Sequence, residues 1–146
     1  MRARTAMGAS SSNQSFGNAR GSCSLSRVTA NVIHVVADRS LSAELGDQLA
    51  EALDKELKAG IKSHTFFDVF GLEHYDSKVR IEITRVLRDN WAKLESIHVL
   101  VRSPLVRMGV AVANLALDNR VQAYVDRASW QIEFDAARKA SNLRSA

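Results

Sequence analysis

The sequence predicts an α/β domain in which helices pack against a small mixed, mainly parallel β-sheet. Short β-branched runs alternate with longer stretches of helical period, a pattern that is typical of this fold class. The chain has 146 residues, of which 46% are apolar. A chain of this length normally forms one hydrophobic core, and this apolar share is ordinary for a globular protein. We therefore expect one such domain.

The first 24 residues differ in composition from the rest. They are rich in Ser, Gly, Ala and Asn, with almost no large apolar side chains apart from Met7 and Phe16. Such a segment cannot bury enough surface to offset its ordering entropy, so residues 1–24 are predicted to be a disordered tail before a domain at residues 25–146. A transit peptide and an upstream start codon ahead of Met7 stay open as alternatives. A secretory signal fits least, because the segment has no apolar central region.

The net charge of +4 belongs to the N-terminal part of the chain. Before Asn31 there is no acid, and the basic residues are Arg2, Arg4, Arg20 and Arg27. The rest of the 20 basic residues balance all 16 acids. A DNA- or RNA-binding fold is expected to carry an excess of positive charge, so the sequence argues against nucleic acid as a partner.

The chain has a single cysteine, Cys23, which favours a reducing compartment. It rules out an internal disulfide, and no His or Cys lies near it at the spacing of a zinc site. No Gly-rich phosphate loop, GxSxG elbow or HExxH motif is present. No stretch approaches the roughly 20 apolar residues of a membrane-spanning helix. We expect a cytoplasmic protein that is not an enzyme and has no metal, no cofactor and no membrane span.

The first elements are predicted to be a β-hairpin and a helix. Residues 25–29 and 32–37 form the two strands, which turn at Ala30 and Asn31. Leucines then recur at every fourth residue, the spacing of one face of a helix. We expect this helix to begin after an N-cap at Ser40 and to end at Gly60. The leucines are Leu41, Leu45, Leu49, Leu53 and Leu57.

A further strand and helix follow. Residues 65–70 combine aromatic and β-branched side chains, which favours a strand that leads into a loop at residues 71–76. The next stretch is ambiguous, because its first apolar residues alternate as in a strand, whereas the longer window from Val79 to Leu94 fits a helical face. The longer pattern predicts a helix.

A central strand and a third helix come next. Residues 97–101 are a near-continuous apolar run, as in a strand buried on both faces. Ser103 is the expected N-cap and Pro104 the first-turn residue of the helix that follows. This helix is apolar almost all round, so we expect it to be well buried. Its apolar residues include Met108, Val110, Val112 and Leu115.

The chain ends in a short strand and a terminal helix. Residues 121–125 form the strand, and Asp126 is expected to cap the helix. This helix carries Trp130 and Phe134, with charged residues on its outer face. We expect the aromatic side to pack against the sheet.

These segments resemble the STAS superfamily, the anti-sigma factor antagonists and their SpoIIAA-like relatives. The resemblance begins at about Ser26 and rests on the order of the elements and on three segments. These are FFDVFGLEHYDS at residues 66–77, the strand that ends in Ser-Pro at residues 103–104, and VQAYVDRASWQIEF at residues 121–134. The resemblance implies a regulatory or binding domain that recognises a protein partner, in bacterial signalling.

The resemblance also bears on Ser77. In signalling members of the family, a strand of the form hydrophobic, Asp, hydrophobic leads to an Asp-Ser-Ser-Gly turn, whose first Ser opens a helix and is phosphorylated by a partner kinase. Here Asp68 lies in the strand and Asp76, Ser77 and Lys78 follow, so the Asp-Ser is present and the second Ser and the Gly are absent. Ser77 is therefore a candidate phosphoacceptor, and its other interpretation is a helix N-cap.

The expected partner-binding surface combines two segments that precede helices. One is the loop at residues 71–77 with the start of the following helix, and the other is the junction at residues 102–107. In α/β folds, loops that follow strands commonly carry ligand sites. The residues assigned to this surface are Gly71, His74, Tyr75, Asp76, Ser77, Arg102, Ser103 and Arg107.

Two other functions stay open as alternatives. A small-ligand or lipid carrier would use an apolar pocket of at least about 300 Å³ between the sheet and the helices. An enzyme would need His74 and Asp76 to converge in a cleft as a general-base pair. The other histidines have structural interpretations, since His34 and His98 fall within strands and His64 precedes a strand with no visible partner.

Overall fold

The computed structural model describes residues 12–145, which form a seven-stranded sheet between two layers of helices. A short 3₁₀ turn, Trp91–Lys93, lies between the second helix and the sixth strand. The strands are β1 (Ser12–Gly17), β2 (Ser22–Thr29), β3 (Val32–Leu41), β4 (Ser63–Val69), β5 (Leu72–Tyr75), β6 (Leu94–Val101) and β7 (Val121–Tyr124). The helices are α1 (Ala43–Ala59), α2 (Ser77–Asp89), α3 (Pro104–Ala116) and α4 (Arg127–Ser145).

The sheet is mixed and mainly parallel, as the sequence predicted. Its strand order is β1-β2-β3-β4-β6-β7, with β5 paired to the end of β3. The pairs β1–β2 and β2–β3 are antiparallel, and the other pairs are parallel. The predicted hairpin is therefore confirmed as β2 and β3, and the parallel pairs β3–β4, β4–β6 and β6–β7 are joined through helices, as parallel pairing requires.

The sheet begins earlier than predicted, because β1 and the first part of β2 lie within residues 12–24. Main-chain pairing from Ser12 opposite Arg27 to Gly17 opposite Ser22 holds this segment in the sheet, a source of order that composition does not reveal. Phe16 packs against the hydrophobic core, and Cys23 is buried within that core. The prediction of disorder is thus wrong for residues 12–24. Residues 1–11, with the rest of the predicted tail, lie outside the described part of the chain.

The α1 helix confirms four of the five predicted leucines and corrects the N-cap, whereas Leu41 lies at the end of β3. Leu45, Leu49, Leu53 and Leu57 are each at most 3% exposed. The hydroxyl of Ser42 accepts a hydrogen bond from the Leu45 amide at 3.2 Å, so Ser42 is the N-cap. The predicted cap, Ser40, instead lies inside β3, which ends at Leu41, four residues beyond the predicted end of the strand at residue 37. Gly60 is the C-cap, as predicted.

The loop predicted at residues 71–76 contains the short strand β5. It pairs in parallel with the end of β3, where His74 lies opposite Ser40 and Tyr75 opposite Leu41. The helix predicted after it is confirmed as α2, and its apolar face buries Val79 among other residues. It ends at Asp89, earlier than the sequence pattern suggested.

The α3 helix is capped as predicted but is less buried than predicted. Ser103 is its N-cap and Pro104 its first residue. One side packs on the sheet through Val106 and Gly109. The opposite side faces outward, because α3 lies in the outer layer and no described residue covers it. An apolar composition alone does not distinguish a helix covered on both sides from one with an uncovered apolar side. The exposed fractions are 47% for Leu105, 65% for Met108, 46% for Val112 and 75% for Leu115.

The two faces of the sheet carry separate cores. On β4, Phe67 points to the core shared with α1, α2 and α3, whereas Phe66 points to the core beneath α4. Trp130 and Phe134 of α4 pack on Phe66, with ring centroids 5.8 and 5.1 Å away, as predicted for the aromatic side of the last helix. Among residues 12–145, no helix combines the length and the apolar character needed to cross a bilayer.

Candidate functional site

The two predicted partner-binding segments lie at one edge of the sheet. Because β4, β6 and β7 are parallel, their carboxyl ends share an edge, and α2, α3 and α4 begin there. We call this the carboxyl edge. It is the place where open α/β sheets bind ligands.

The β5–α2 segment is fixed to the sheet and to α3. The Gly71 carbonyl accepts a hydrogen bond from the Arg39 amide at 2.8 Å. A Cβ on Gly71 would lie 2.2 Å from the Asp38 carboxylate, so a larger residue there would displace the Asp38 side chain. At the other end of β5, the Tyr75 hydroxyl packs over Gly109 of α3, where a Cβ would come within 1.9 Å of it. Tyr75 therefore joins the two predicted segments.

The cap of α2 is Asp76 and not Ser77. The Asp76 carboxylate accepts a hydrogen bond from the Lys78 amide at 2.9 Å, and the Asp76 amide donates to the Leu41 carbonyl at 2.9 Å. This link to β3 keeps the chain extended through Asp76, so Ser77 becomes the first helical residue. The interpretation of Ser77 as the cap is wrong, and its side chain is exposed.

His74 and Asp76 do not form the general-base pair that an enzyme would need. Both side chains are exposed, and no hydrogen bond between them is present in the described structure. This arrangement gives the enzyme alternative no support from geometry.

The β6–α3 junction contributes two surface arginines and a buried cap. Arg102 is half exposed and lies 3.8 Å from the Glu73 carboxylate of β5. Arg107 is exposed and has no ion-pair partner among residues 12–145. Ser103, assigned to the surface from the sequence, is only 8% exposed, and its hydroxyl caps α3. Of the eight predicted residues, five are exposed at this edge, Gly71 and Tyr75 are half-buried, and Ser103 is buried.

Sequence reasoning missed a cluster around Phe70, which we call the Phe70 cluster. The guanidinium carbons of Arg102 and Arg127 lie 5.6 and 5.4 Å from the centre of the Phe70 ring, a cation–π distance. Arg127 also forms a two-point ion pair with Asp68 at 2.8 and 3.3 Å. The available signal was positional, since Asp68 lies near the end of one parallel strand and Arg127 begins the helix after another.

An apolar stripe on α3 adjoins this edge. Leu105, Met108, Val112 and Leu115 project outward at spacings of three, four and three residues, and we call them the α3 stripe. Ile81 of the neighbouring α2 is also 51% exposed. Contiguous exposed apolar surface is uncommon on soluble monomers and marks interaction sites.

An apolar space lies beneath the same two helices. It is a cavity of about 130 Å³ between the sheet, α2 and α3, with Phe67, Ile83, Val99 and Val106 among its walls. A carrier of drug-sized or lipid ligands needs about 300 Å³ or more. The cavity is therefore smaller than the carrier alternative requires.

Histidines form a buried network on the opposite, α4 face of the sheet. His98 is 5% exposed, and its ring stacks on Phe66 at 4.3 Å. Its Nδ1 lies 2.8 Å from the Tyr124 hydroxyl and its Nε2 lies 2.8 Å from the Ser96 hydroxyl. The same Ser96 hydroxyl lies 2.7 Å from His64 Nδ1, so His64 has the partner that was not visible in the sequence. Burial, with a smaller contribution from His64, lowers the pKa of His98 to about 4.

This network predicts acid sensitivity. The pKa of His98 is about 4 in the folded chain and near 6.5 when unfolded, so folding favours the neutral ring. Its contribution is complete above pH 6.5 and is lost as the pH falls toward 4. Between pH 7.5 and 5.0, urea melts should show a His98-dependent loss of up to about 2 kcal/mol. His98→Gln should lose less stability than wild type over this interval; equal losses would contradict the assignment.

Cys23 is a structural thiol. It is 3% exposed, and burial raises the pKa of its thiol to about 11. The neutral form is much less nucleophilic than a thiolate. Within residues 12–145, no group of three or more His, Cys, Asp or Glu side chains is placed to hold a metal ion.

Comparison with known proteins identifies the fold. The structure of the anti-sigma factor antagonist SpoIIAA in its unphosphorylated form is similar, with a TM-score of 0.53 and 16% sequence identity, over 72% of this chain and 90% of that one. The chain therefore has a SpoIIAA-like fold, as the sequence resemblance implied. No family model matches the chain, and no curated protein is significantly similar to it.

Proposed function

We propose that this chain is a STAS-like regulatory module that binds a protein partner in the bacterial cytoplasm and performs no catalytic step. The fold supports a binding role, because the similar structure is that of an anti-sigma factor antagonist. The observation that carries the proposal is the α3 stripe, which adjoins the accessible residues of the carboxyl edge. Such exposed apolar surface favours contact with another protein.

The shape of the α3 stripe suits a helix of the partner. Spacings of three and four residues place one apolar row along a helix, as in a coiled-coil seam. The sequence of α3 contains no acid, and its Arg107 has no ion-pair partner among the described residues. A second copy of this chain would bring like charges together, whereas a partner with acidic residues beside its apolar row would complement them.

Ser77 is the proposed control point of this surface. Its exposed side chain lies at the first residue of α2, where the helix dipole favours a phosphate. Tyr75 connects this segment to α3 through Gly109, so the two parts adjoin each other. Phosphorylation would add a charge of about −1.5 to −2. A partner whose acidic residues face this surface would be repelled.

The carrier remains the second candidate, with less support. It requires a pocket of at least about 300 Å³, and the cavity beneath α2 and α3 is about 130 Å³. The exposed stripe and the small cavity together favour recognition at a surface over transport of an enclosed lipid.

A matched pair of substitutions tests the partner surface. Met108 and Ile132 are both 65% exposed, but Met108 lies on α3 and Ile132 on α4, which pack on opposite faces of the sheet. We expect Met108→Glu to weaken the partner complex by at least about tenfold, because a charge would be buried in an apolar contact. Affinity purification from the native cell with wild type, Met108→Glu and Ile132→Glu, read by mass spectrometry, identifies proteins lost only with Met108→Glu.

Calorimetry with the purified partner then tests the control point. Ser77→Ala should bind like wild type, whereas Ser77→Asp should bind at least about tenfold more weakly. Equal affinities for Met108→Glu and Ile132→Glu would contradict the binding surface. Equal affinities for the two Ser77 variants, with no phosphate on Ser77 in protein from the native cell, would contradict the switch alone.

A further inference from the structure

The cavity beneath α2 and α3 adjoins a groove on the outer surface of the protein. Three residues, Arg80, Thr84 and Ala113, line both the cavity and a groove on the outer surface between the two helices. Arg80 and Thr84 are one helical turn apart on α2, so they lie on the same face. Ala113 is a small residue of the neighbouring helix α3. We call these three residues the mouth of the cavity, because they line both spaces.

The wall of the cavity is apolar except at three residues. Ile83, Val99 and Val106 are typical of the interior. The polar side chains among the lining residues are Arg80, Thr84 and Tyr75. A molecule inside would therefore place carbon atoms within the cavity and a polar group at the mouth.

The polar side chains that line the cavity have unused hydrogen-bonding capacity. Arg80 is half-buried and forms no ion pair or hydrogen bond with any residue from 12 to 145, unlike Arg85 on the next turn, which pairs with Glu82 and Asp89. The hydroxyls of Thr84 and Tyr75 have no hydrogen-bond partner in the same described range. A partly buried guanidinium without a counter-charge favours an anion, and a carboxylate accepts two of its N–H groups.

We propose that this cavity binds a small aliphatic carboxylate, with its chain among the apolar walls and its carboxylate at Arg80 and Thr84. An apolar cavity of about 150 Å³ holds a molecule as large as benzene, so a cavity of about 130 Å³ suits a chain of roughly five carbons. This site is independent of the protein partner and goes beyond the proposed function. Since α3 forms one wall, its occupant lies directly beneath the α3 stripe.

Hexanoate titrated into the full chain, labelled at Ile, Leu and Val methyl groups, tests the site by NMR. We expect saturable shifts at Ile83, Val99 and Val106 and none at Ile132 of α4. Burial of five carbons predicts a dissociation constant of about 1 mM. Arg80→Gln should lower the affinity for hexanoate by about fivefold. The affinity for hexan-1-ol, which has no charge, should not change.

Two further variants separate this site from general attraction. Arg88→Gln removes an arginine that lines the outer groove but not the cavity, and it should leave hexanoate binding unchanged. Ala113→Leu fills the mouth and should abolish the shifts with either ligand, in protein whose other methyl resonances match wild type. Absence of saturable shifts in wild type, or equal effects of Arg80→Gln and Arg88→Gln, would overturn the proposal. These outcomes leave the partner experiment unaffected.

Discussion

Leu53→Ala should lower the free energy of unfolding by about 2–5 kcal/mol. Leu53 is 0% exposed and lies in the middle of the leucine row that α1 packs into the larger core. Truncation removes buried carbon atoms and leaves a space that close-packed neighbours fill only in part. Urea melts of the two proteins, analysed with a common slope, measure the difference.

Lys55 of the same helix provides the control. Its side chain is exposed, and alanine is an equally good helix former at such a position, so Lys55→Ala should change stability by no more than about 0.5 kcal/mol. A loss below about 1 kcal/mol for Leu53→Ala would show that the leucine row is not packed as described.

The elements that the sequence predicted correctly are those with a strong local pattern. The leucine row needs only a four-residue spacing, and the cap of α3 needs only Ser103 followed by Pro104. The run at residues 97–101 identified the central strand β6, because a strand buried on both faces is apolar at successive positions. In each case the signal lies within a few residues of the structure it predicts.

The peripheral strands β1 and β5 could not be predicted from such local patterns. The strand β1 contains mostly small polar residues, and its order comes from pairing with β2. The strand β5 exists because the end of β3 offers it a free edge. Both strands depend on the backbone of a neighbouring strand and not on their own side chains. The cap of α2 also depends on a neighbouring backbone, because the hydrogen bond from Asp76 to Leu41 of β3 makes Ser77 the first helical residue.

The candidate site was predictable in position but not in detail. Chain order placed residues 71–77 and 102–107 after neighbouring strands, and parallel pairing brought them to one edge. The Phe70 cluster joins Asp68 and Phe70 to Arg127, which lies too far along the sequence for any spacing rule to connect. The exposure of one side of α3 could not be predicted either. An apolar residue gives the same sequence pattern whether the sheet, another helix or a partner covers it.

The second large effect is expected at a buried ion pair between β2 and the last turn of α1. Arg27 of β2 is 7% exposed, and its Nε lies 2.8 Å from the Glu56 carboxylate. The same guanidinium donates to the Ala30 carbonyl at 2.7 Å and to the Glu56 carbonyl at 2.6 Å, so it joins the β2–β3 turn to α1. Arg27→Met should lower the free energy of unfolding by about 3–5 kcal/mol, because it removes one partner of a desolvated pair.

An exposed ion pair shows how much of this effect is burial. Glu56→Gln keeps an oxygen acceptor for Arg27 but leaves its buried charge uncompensated, and we expect a loss of about 1–3 kcal/mol. Glu82→Gln on α2 removes the same charge from the exposed pair with Arg85, where 54% of the arginine side chain is accessible, and should cost at most about 0.5 kcal/mol. Guanidinium chloride would screen both pairs, so urea is the denaturant to use. Equal losses for Glu56→Gln and Glu82→Gln would mean that water reaches Arg27 as freely as it reaches Arg85, and that the link between α1 and the hairpin turn contributes little to the fold.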